Sequence, residues 1–255
     1  MGKVISIVNQ KGGVGKTTTA VNLSASLAIA DRRILLIDLD PQANATTGLG
    51  IDKKGLAQSI YKYILDPNSP SDGVLSTMMD KFFIIPSNSE LVGAEVELVD
   101  VEDRAFRLKK FVDRIKDDYD YVIIDSPPSL GLLTLNSIVA SDGILITLQC
   151  EFFALEGLSA LMTTFERVKQ NLNPSIKIYG IVLTMYDARN NLSKQVVEEV
   201  RHHFGSLVYD TIIPRNVRLG ESPSFGKPII LYDATSRGAQ AYIELAKEFL
   251  SKVGK

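Results

Sequence analysis

Short runs of β-branched and other apolar residues recur along the chain and predict strands. Most of the runs are continuous and do not alternate with polar positions, which is typical of strands buried on both faces of a sheet. Seven runs have this character: residues 4–8, 34–37, 82–85, 121–124, 144–147, 178–183 and 208–213.

Between most of these runs, apolar residues recur at helical spacing and predict helices with one buried face. The clearest stripes are Ala20, Leu23, Leu27 and Ala30; Leu108, Phe111, Val112 and Ile115; and Leu158, Leu161, Met162, Phe165 and Val168. Strands alternating with helices predict an α/β fold with a doubly wound, mostly parallel sheet flanked by helices. Such sheets bind ligands at the carboxyl ends of their strands. Residues 66–76, with two prolines, read as a surface excursion.

Composition narrows the class of protein. Of the 255 residues 45% are hydrophobic, and the net charge is −2, which favours an ordinary globular protein and gives no overall attraction to nucleic acid. Cys150 is the only cysteine, so an intrachain disulfide is excluded. With no apolar run long enough for a membrane span, no signal peptide, no repeat and no flexible linker, we expect one cytoplasmic domain over residues 1–255.

A glycine-rich segment follows the first strand and precedes a helical stripe. Residues 9–19 read NQKGGVGKTTT, which differs from the strict phosphate-loop pattern only in having Gln10 at the place of the first glycine. Gly12, Gly13 and Gly15 permit positive φ, so the amides around Val14 and at the helix start can close on phosphate oxygens. Lys16 is expected on the β and γ phosphates and Thr17 on Mg²⁺, with Thr18 beside them. ATP and Mg²⁺ are therefore the predicted cofactors.

Carboxylates follow two strands at the edge where the phosphate loop would place Mg·ATP. Asp125 ends one strand and is predicted to hold Mg²⁺, directly or through water. Asp38 and Asp40 follow another strand, and one of them is expected to act in hydrolysis. Catalysis would then consist of positioning and charge neutralisation.

Lys11, at the front of the loop, gives the segment the form Lys-Gly-Gly-x-Gly-Lys-Thr. This form resembles the deviant Walker A motif of the ParA/MinD group of P-loop ATPases. The resemblance implies that Lys11 reaches across a dimer interface to the partner's ATP, so that ATP binding and formation of a sandwich homodimer coincide. It also implies that Asp40 orients the attacking water and that Asp38 supports the geometry.

The resemblance extends over almost the whole chain. Further stretches resemble the chromosomal ParA proteins called Soj: residues 38–48, 125–129, 151–157, 183–187, 213–218 and 222–227. It implies a slow ATPase for chromosome or plasmid partition, whose ATP dimer binds double-stranded DNA non-specifically. A ParB-type centromere-binding protein would stimulate hydrolysis and release the dimer. Since the phosphate loop begins at residue 11, we expect no N-terminal helix-turn-helix, and we expect a nucleoid-associated protein.

Arg189 and Arg218 resemble the DNA-contacting arginines of this family. Either residue alone could equally be a solvated side chain or part of an ion pair. Counterion release from a patch doubled by dimerisation would supply DNA affinity that the net charge does not. Pro214 and Asn216 resemble residues that flank the adenine, although a simple turn would explain them nearly as well. Lys194, Arg201 and Lys227 are candidates for extending the patch.

Two other functions remain open. The first is a membrane-docking division-site ATPase of the MinD type, because the C-terminal stripe Tyr242, Leu245, Ala246, Phe249, Leu250 and Val253 is amphipathic. Its polar face mixes acidic and basic residues, which favours packing on the domain and no stable membrane association. The second is a metabolic enzyme that transfers phosphate to a small substrate.

Overall fold

The computed structural model describes residues 2–151 and 154–254, and its centre is an eight-stranded sheet. The strands are β1 (Lys3–Val8), β2 (Ile34–Asp38), β3 (Leu75–Ser76), β4 (Phe82–Ile85), β5 (Tyr121–Asp125), β6 (Gly143–Gln149), β7 (Lys177–Tyr186) and β8 (Val208–Pro214). All seven predicted runs are strands, with ends shifted by at most three residues.

The spatial order of the strands is β3-β4-β2-β5-β1-β6-β7-β8. Every neighbouring pair is parallel except β3 with β4. The predicted doubly wound sheet is thus confirmed. Since β1 lies between β5 and β6, the segments after these three strands leave the same carboxyl edge side by side, and this edge is where the fold places ligands.

Helices alternate with the strands and cover both faces of the sheet. The α-helices are α1 (Lys16–Ile29), α2 (Asn44–Gly48), α3 (Ile60–Leu65), α4 (Leu91–Glu97), α5 (Arg107–Ile115), α6 (Leu132–Ala140), α7 (Ala154–Asn171), α8 (Asn191–Phe204), α9 (Val217–Glu221), α10 (Ile229–Tyr232) and α11 (Arg237–Val253). The predicted stripes on α1, α5 and α7 are largely buried, as their spacing indicates; of their residues, Ala30 and Met162 are not buried.

The apolar core lies on both sides of the sheet. Ile5 and Ile7 of β1 join a cluster formed with α1 and α11, whereas Val4 and Val8 join the clusters of the opposite face. This alternation is the two-residue period of a strand covered on both sides. The core therefore holds the sheet rigid and leaves its carboxyl edge for loops.

The C-terminal stripe packs against the domain. Tyr242, Leu245, Phe249 and Val253 of α11 are all buried, and the helix contacts β8 and α1. Ser236 caps its start by accepting a hydrogen bond from the amide of Ala239 at 3.2 Å. The predicted packing is confirmed. In the described ranges, no helix combines the length and the apolar character needed to cross a bilayer.

Residues 66–76 differ in part from the prediction. Their last two residues form β3, which pairs with only two residues of β4. Two residues give no readable period, so the strand could not be recognised. The same holds for α2, α3, α9 and α10, each of six residues or fewer.

Candidate nucleotide site

The segment between β1 and α1 forms a loop open to an anion. Gly13 and Gly15 have φ of 73° and 84°, a region that costs other residues energy, whereas Gly12, for which the sequence also permits positive φ, does not adopt it. Gly15 immediately precedes α1, and no side chain caps that helix. The first amides of α1 therefore lack a side-chain acceptor and, together with the helix dipole, suit a phosphate group.

Two polar side chains hold the loop to the sheet, and sequence reasoning did not identify either. Asn9 donates to the carbonyl of Thr147 at 2.6 Å and accepts from the amide of Lys11 at 2.9 Å. Thr184 of β7 donates to the carbonyl of Val14 at 2.9 Å. These bonds fix the loop against β6 and β7, so its amides are oriented before any ligand arrives.

Lys16 lies inside the loop, where the residue is only 6% exposed and its ammonium donates to the carbonyl of Lys11 at 2.9 Å. Burial lowers the pKa of Lys16, and the nearby carboxylates of Asp125 and Asp40 offset part of that effect. A buried cation beside two acids is suited to bind the terminal phosphates of a nucleotide, as predicted for this residue.

Asp125, at the end of β5, lies beside Asp38, at the end of β2, in the register of the sheet. Burial raises the pKa of Asp125 well above its usual range, Asp38 raises it further, and the Thr17 hydroxyl opposes the shift. Neither carboxylate oxygen of Asp125 has a hydrogen bond of normal geometry with any group in residues 2–151 and 154–254. A buried carboxylate in this condition calls for a cation.

Thr17 and Asp125 therefore fit a magnesium ion. Mg²⁺ usually takes one or two protein oxygens and completes its octahedron with phosphate oxygens and water. The described residues contain no group of three or more His, Cys, Asp or Glu that could hold a metal by themselves. The structure thus brings the two predicted ligands together at the phosphate loop.

Asp38 and Asp40 have different surroundings. Asp38 is fully buried and accepts from the Thr46 amide at 2.8 Å and the Thr46 hydroxyl at 2.7 Å, which joins the end of β2 to α2. Burial raises the pKa of Asp38 to about 6, and the bonds from Thr46 oppose the shift. Asp40 accepts from the amide of Gln42 at 2.9 Å and contributes to the field at Lys16. The geometry supports a structural role for Asp38 and leaves Asp40 as the candidate for orienting water.

Lys11 does not take part in the phosphate cradle through its side chain. Its ammonium lies 3.2 Å from Glu151 Oε2, and its side chain is 47% exposed. The other oxygen of Glu151 accepts from Gln149 and lies 3.8 Å from the guanidinium of Arg215. Lys11 is therefore accessible at the rim of the site and held there by one carboxylate.

Pro214 and Asn216 line a cavity of about 240 Å³ that also includes Gly15, Thr18 and Thr184. Asn216 Oδ1 caps α9 by accepting from the amide of Leu219 at 3.3 Å. The cavity adjoins the start of α1, where the phosphates of a nucleotide would lie. This placement supports the expectation that both residues flank a base, and it adds Thr184 and Met185, which sequence reasoning missed.

The arginines predicted to contact DNA lie at the same carboxyl edge. Arg189 is 89% exposed and forms two bonds with Asp187, at 3.0 and 2.8 Å. Those bonds lower the pKa of Asp187 to about 2. Arg218 is 54% exposed and lies 2.9 Å from Glu221 and 3.5 Å from Asp233. Both guanidinium groups are thus exposed and paired with carboxylates of their own chain.

A cavity of about 620 Å³ brings Arg189 together with Arg215 and Arg237. Arg237 begins α11, far from Arg189 in sequence, so no local pattern could have indicated this group. Lys194 is exposed in the first turn of α8, and Lys227 lines a cavity beside α2. Arg201 does not join the patch, because it bonds the carbonyl of Asp210 in the first half of β8, away from the carboxyl edge.

Comparison with known proteins gives consistent results. A family model described as an AAA domain matches residues 2–178. The chain is 54% identical to the sporulation initiation inhibitor protein Soj of Bacillus subtilis, over 97% of this chain and 98% of that one. It is 53% identical to the chromosome partitioning protein ParA of Myxococcus xanthus, over 99% of this chain and 89% of that one.

Among solved structures, the chain is similar to one described as cobyrinic acid a,c-diamide synthase from Mycobacterium smegmatis, with bound ADP and magnesium. The TM-score is 0.85 and the identity 36%, over 100% of this chain and 97% of that one.

Proposed function

The chain belongs to the Soj/ParA family of chromosome-partitioning ATPases, and we propose that ATP switches it into a sandwich dimer that binds DNA without sequence preference. It is an ATPase with ATP and Mg²⁺ as cofactors. A ParB-type partner stimulates hydrolysis to ADP and phosphate, and the dimer then leaves the DNA. Residues 1–255 act as one nucleotide-binding unit, associated with the nucleoid in the cytoplasm.

One observation carries this proposal: exposed cations surround a nucleotide site at a single edge of the sheet. Lys11 lies at the rim of the phosphate loop, and Arg189 and Arg218 follow β7 and β8 at the same edge. A second protomer facing this edge would bring its own Lys11 to the first protomer's phosphates and double the number of arginines.

The residues of the site divide the work of hydrolysis. The loop amides from Gly12 to Thr18 and the Lys16 ammonium hold the phosphates, and Lys11 of the facing protomer adds a cation, as an arginine finger does. Thr17 and Asp125 would hold Mg²⁺, which neutralises charge on the phosphates. Asp40 orients the attacking water. Positioning and charge neutralisation suffice for this reaction class.

DNA affinity then follows from counterion release. Each DNA phosphate neutralised by an arginine releases condensed cations. The binding free energy from this release grows with the number of contacts, which a dimer doubles. A monomer offers half the contacts, so pairing converts weak attraction into retention even though the chain carries a net charge of −2.

The test measures DNA retention with ATP and Mg²⁺, with ADP, and with three variants. We expect retention only with ATP, and a loss of at least tenfold in Lys11→Ala and in Arg218→Ala. Arg32→Ala is the matched control, because Arg32 is an exposed arginine at the opposite edge of the sheet. Light scattering should show Lys11→Ala as a monomer at saturating ATP. Equal retention by the ADP form or by Lys11→Ala would contradict the switch.

The membrane-docking alternative receives no support from α11. The apolar stripe that would insert into a bilayer is buried against α1 and β8. Sedimentation with anionic liposomes in the presence of ATP separates the two functions, and we expect the protein to remain in the supernatant.

A further inference from the structure

A shallow cavity on the flank of the molecule lies between α4 and α6. Its volume is about 320 Å³, and its lining includes Glu95, Val99, Arg104, Leu130 and Gly131. We call this cavity, with the outer face of α4, the α4 groove. None of its residues takes part in the nucleotide site or in the arginine patch described above.

The outer face of α4 and the turn after it carry three valines exposed to solvent. Val92, Val96 and Val99 are 58%, 74% and 52% exposed, and Leu130, which lines the cavity together with Val99, is 42% exposed. The opposite side, with Leu91, Ala94 and Leu98, already packs on the core. A short helix needs one apolar face to fold, and β-branched residues do not favour helix formation. The second apolar face is therefore unexplained by folding and indicates an interaction surface.

The surroundings of these valines are strongly acidic. Residues 90–104 contain six carboxylates and one arginine. Asp103 pairs with Arg107 and Lys110. The other five carboxylates have no cation within ion-pair distance in the described part of the chain: Glu90, Glu95, Glu97, Asp100 and Glu102.

This charge selects the occupant. DNA and anionic lipid would be repelled, and a second copy of the same face would place like charges opposite each other. A helical or extended segment with apolar residues on one side and lysines or arginines around them matches both the valines and the carboxylates. The groove thus fits a basic, amphipathic protein segment.

The groove also adjoins the loop that follows Asp125. Leu130 and Gly131 belong to that loop, and Thr134 of α6 donates to the carbonyl of Ser129 at 2.5 Å. The side chain of Glu95 packs against Gly131, and its Oε1 has no donor among the described groups. A segment in the groove would therefore touch the loop leading from the proposed magnesium ligand.

We propose that the α4 groove is the docking surface for a basic, amphipathic segment of the ParB-type partner. This proposal rests on the proposed function, which supplies the partner, and adds where it binds. The exposed valines provide the apolar contact, the carboxylates provide long-range attraction and orientation, and the loop after Asp125 connects the bound segment with the site of hydrolysis.

Calorimetry with the purified ParB-type protein, in a non-cleavable ATP analogue and Mg²⁺, tests the apolar contact, and stimulation is measured separately with ATP. We expect Val96→Ser combined with Val99→Ser to weaken partner binding at least tenfold and to abolish stimulation, with basal ATPase and DNA retention unchanged. Ile29→Ser is the matched control, because Ile29 is 56% exposed at the end of α1, away from the groove. Circular dichroism verifies that each variant is folded.

Reversing the charge of two acidic residues near the α4 groove tests its electrostatic attraction for the basic segment. Asp100→Lys combined with Glu102→Lys should weaken binding at least fivefold at low salt, and the difference should shrink at high salt. Asp117→Lys, at the exposed amino edge of the sheet, should leave binding unchanged.

Crosslinking identifies the occupant. Cys150 is buried, and burial raises the pKa of its thiol to about 12, so Val96→Cys provides the reactive thiol of choice for a benzophenone maleimide. Mass spectrometry should find the label joined to a lysine- or arginine-rich segment of the partner, and Ile29→Cys should give no such product. Crosslinks between two copies of the chain, or none, would overturn the assignment.

The outcomes separate the two proposals. Partner binding that is unchanged within twofold in the groove variants overturns the groove assignment and leaves the proposed function intact. Absence of any binding by the unsubstituted protein overturns the partner in the proposed function and the groove assignment with it, while nucleotide-dependent DNA retention still tests the remainder of that function.

Discussion

Glu151 controls the availability of the lysine that the proposed dimer requires. Its carboxylate lies between Lys11 and Arg215, and Gln149 donates to it as well. Lys11 cannot reach a facing protomer while it remains paired within its own chain. Glu151 therefore competes with the partner's phosphates for one cation.

Glu151→Gln should make dimerisation easier. Exposed ion pairs are worth about 0.2–1 kcal/mol, so we expect the ATP concentration for half-maximal dimerisation to fall by a factor of about 1.5 to 5. Light scattering during a titration with a non-cleavable ATP analogue measures this midpoint without hydrolysis. Glu244→Gln breaks an exposed pair with Lys247 on α11 and serves as control. An unchanged or higher midpoint would show that the pair does not restrain Lys11.

For single residues, the sequence predicted the members of the nucleotide site that lie next to a recognisable strand or loop. Lys16, Thr17 and Asp125 follow recognisable strands or loops, and the structure brings them together. Asn9, Thr184 and Glu151 were missed because their contacts join residues 138, 170 and 140 positions apart, which no window on the sequence displays.

Helix α11 is joined to the edge of the sheet by Glu248. Its carboxylate accepts from the amides of Asp210 and Thr211, at 2.8 and 2.9 Å, and Lys252 lies 3.1 Å away. Burial alone would raise the pKa of Glu248, but these donors outweigh it and the pKa is lowered. The ionised carboxylate is therefore the form that stabilises the fold.

Glu248→Gln should reduce the free energy of unfolding by about 1–2 kcal/mol near neutral pH, since charge-assisted bonds to two amides are weakened. Because the folded pKa lies below the unfolded one, the contribution of the charge is present above pH 4.5 and is lost as the pH falls through the folded pKa. The difference between the two proteins should then shrink in acid. Urea unfolding from pH 3 to 7 measures it, with Glu244→Gln as control, and a difference independent of pH would contradict this account.

Gly226 lets the turn before α10 approach the end of α2. Its φ is 64°, and a Cβ there would lie 2.6 Å from the Cα of Gly50. Gly205 also has positive φ, at 50°, but nothing lies within 4 Å of its Cβ position. The two glycines therefore differ in steric contact and also in ψ, which is 29° at Gly226 and −122° at Gly205.

Gly205→Ala should cost about 1–3 kcal/mol from backbone strain alone, because φ of 50° with ψ of −122° is open mainly to glycine. Gly226→Ala should cost about 1–2 kcal/mol for its left-handed backbone. It should cost about 1–3 kcal/mol more because the neighbouring backbone must move. Thermal unfolding of both variants measures the losses. A loss of no more than about 2 kcal/mol in Gly226→Ala would show that the contact with Gly50 relaxes freely.

Helices were predictable where one apolar face is distinct, and length alone did not decide it, since the 14-residue α8 was not among the predicted stripes. Helices α1, α5 and α7 show a clear apolar stripe, whereas α4 was not identified because valines on its outer face obscure the period. The valines on the outer face of α4 are assigned above to partner docking and not to folding. Hydrophobic periodicity does not identify a helix whose exposed face is apolar for such a reason.

Charge is divided between two regions of the molecule. The arginines follow β7 and β8, and the acidic groove lies beside α4, at the other side of the sheet order. The net charge of −2 averages these regions and describes neither. Fold class and nucleotide site could be predicted from the sequence, but the separation of charge required the three-dimensional arrangement.

The salt dependence of DNA retention should report the arginine region alone. Each phosphate contact contributes about −0.9 to the slope of log affinity against log salt concentration. Replacing Arg189 and Arg218 by alanine in both protomers should flatten the slope by about 3 to 4. Titrations from 50 to 200 mM salt measure it, and the Asp100→Lys and Glu102→Lys variant should keep the original slope. An unaltered slope in the arginine variant would place the DNA elsewhere.

The close approach of Gly50 and Gly226 also limits which substitutions evolution can accept at these two positions. A Cβ at Gly226 would lie 2.6 Å from the Cα of Gly50, whereas a Cβ at Gly50 would meet the carbonyl oxygen of Gly226 at 3.2 Å and needs a smaller shift. Replacement of Gly226 should therefore be the rarer event in the history of these proteins. Lineages that keep both glycines should preserve the present spacing between the two turns, and lineages that lose Gly226 should show a wider gap there.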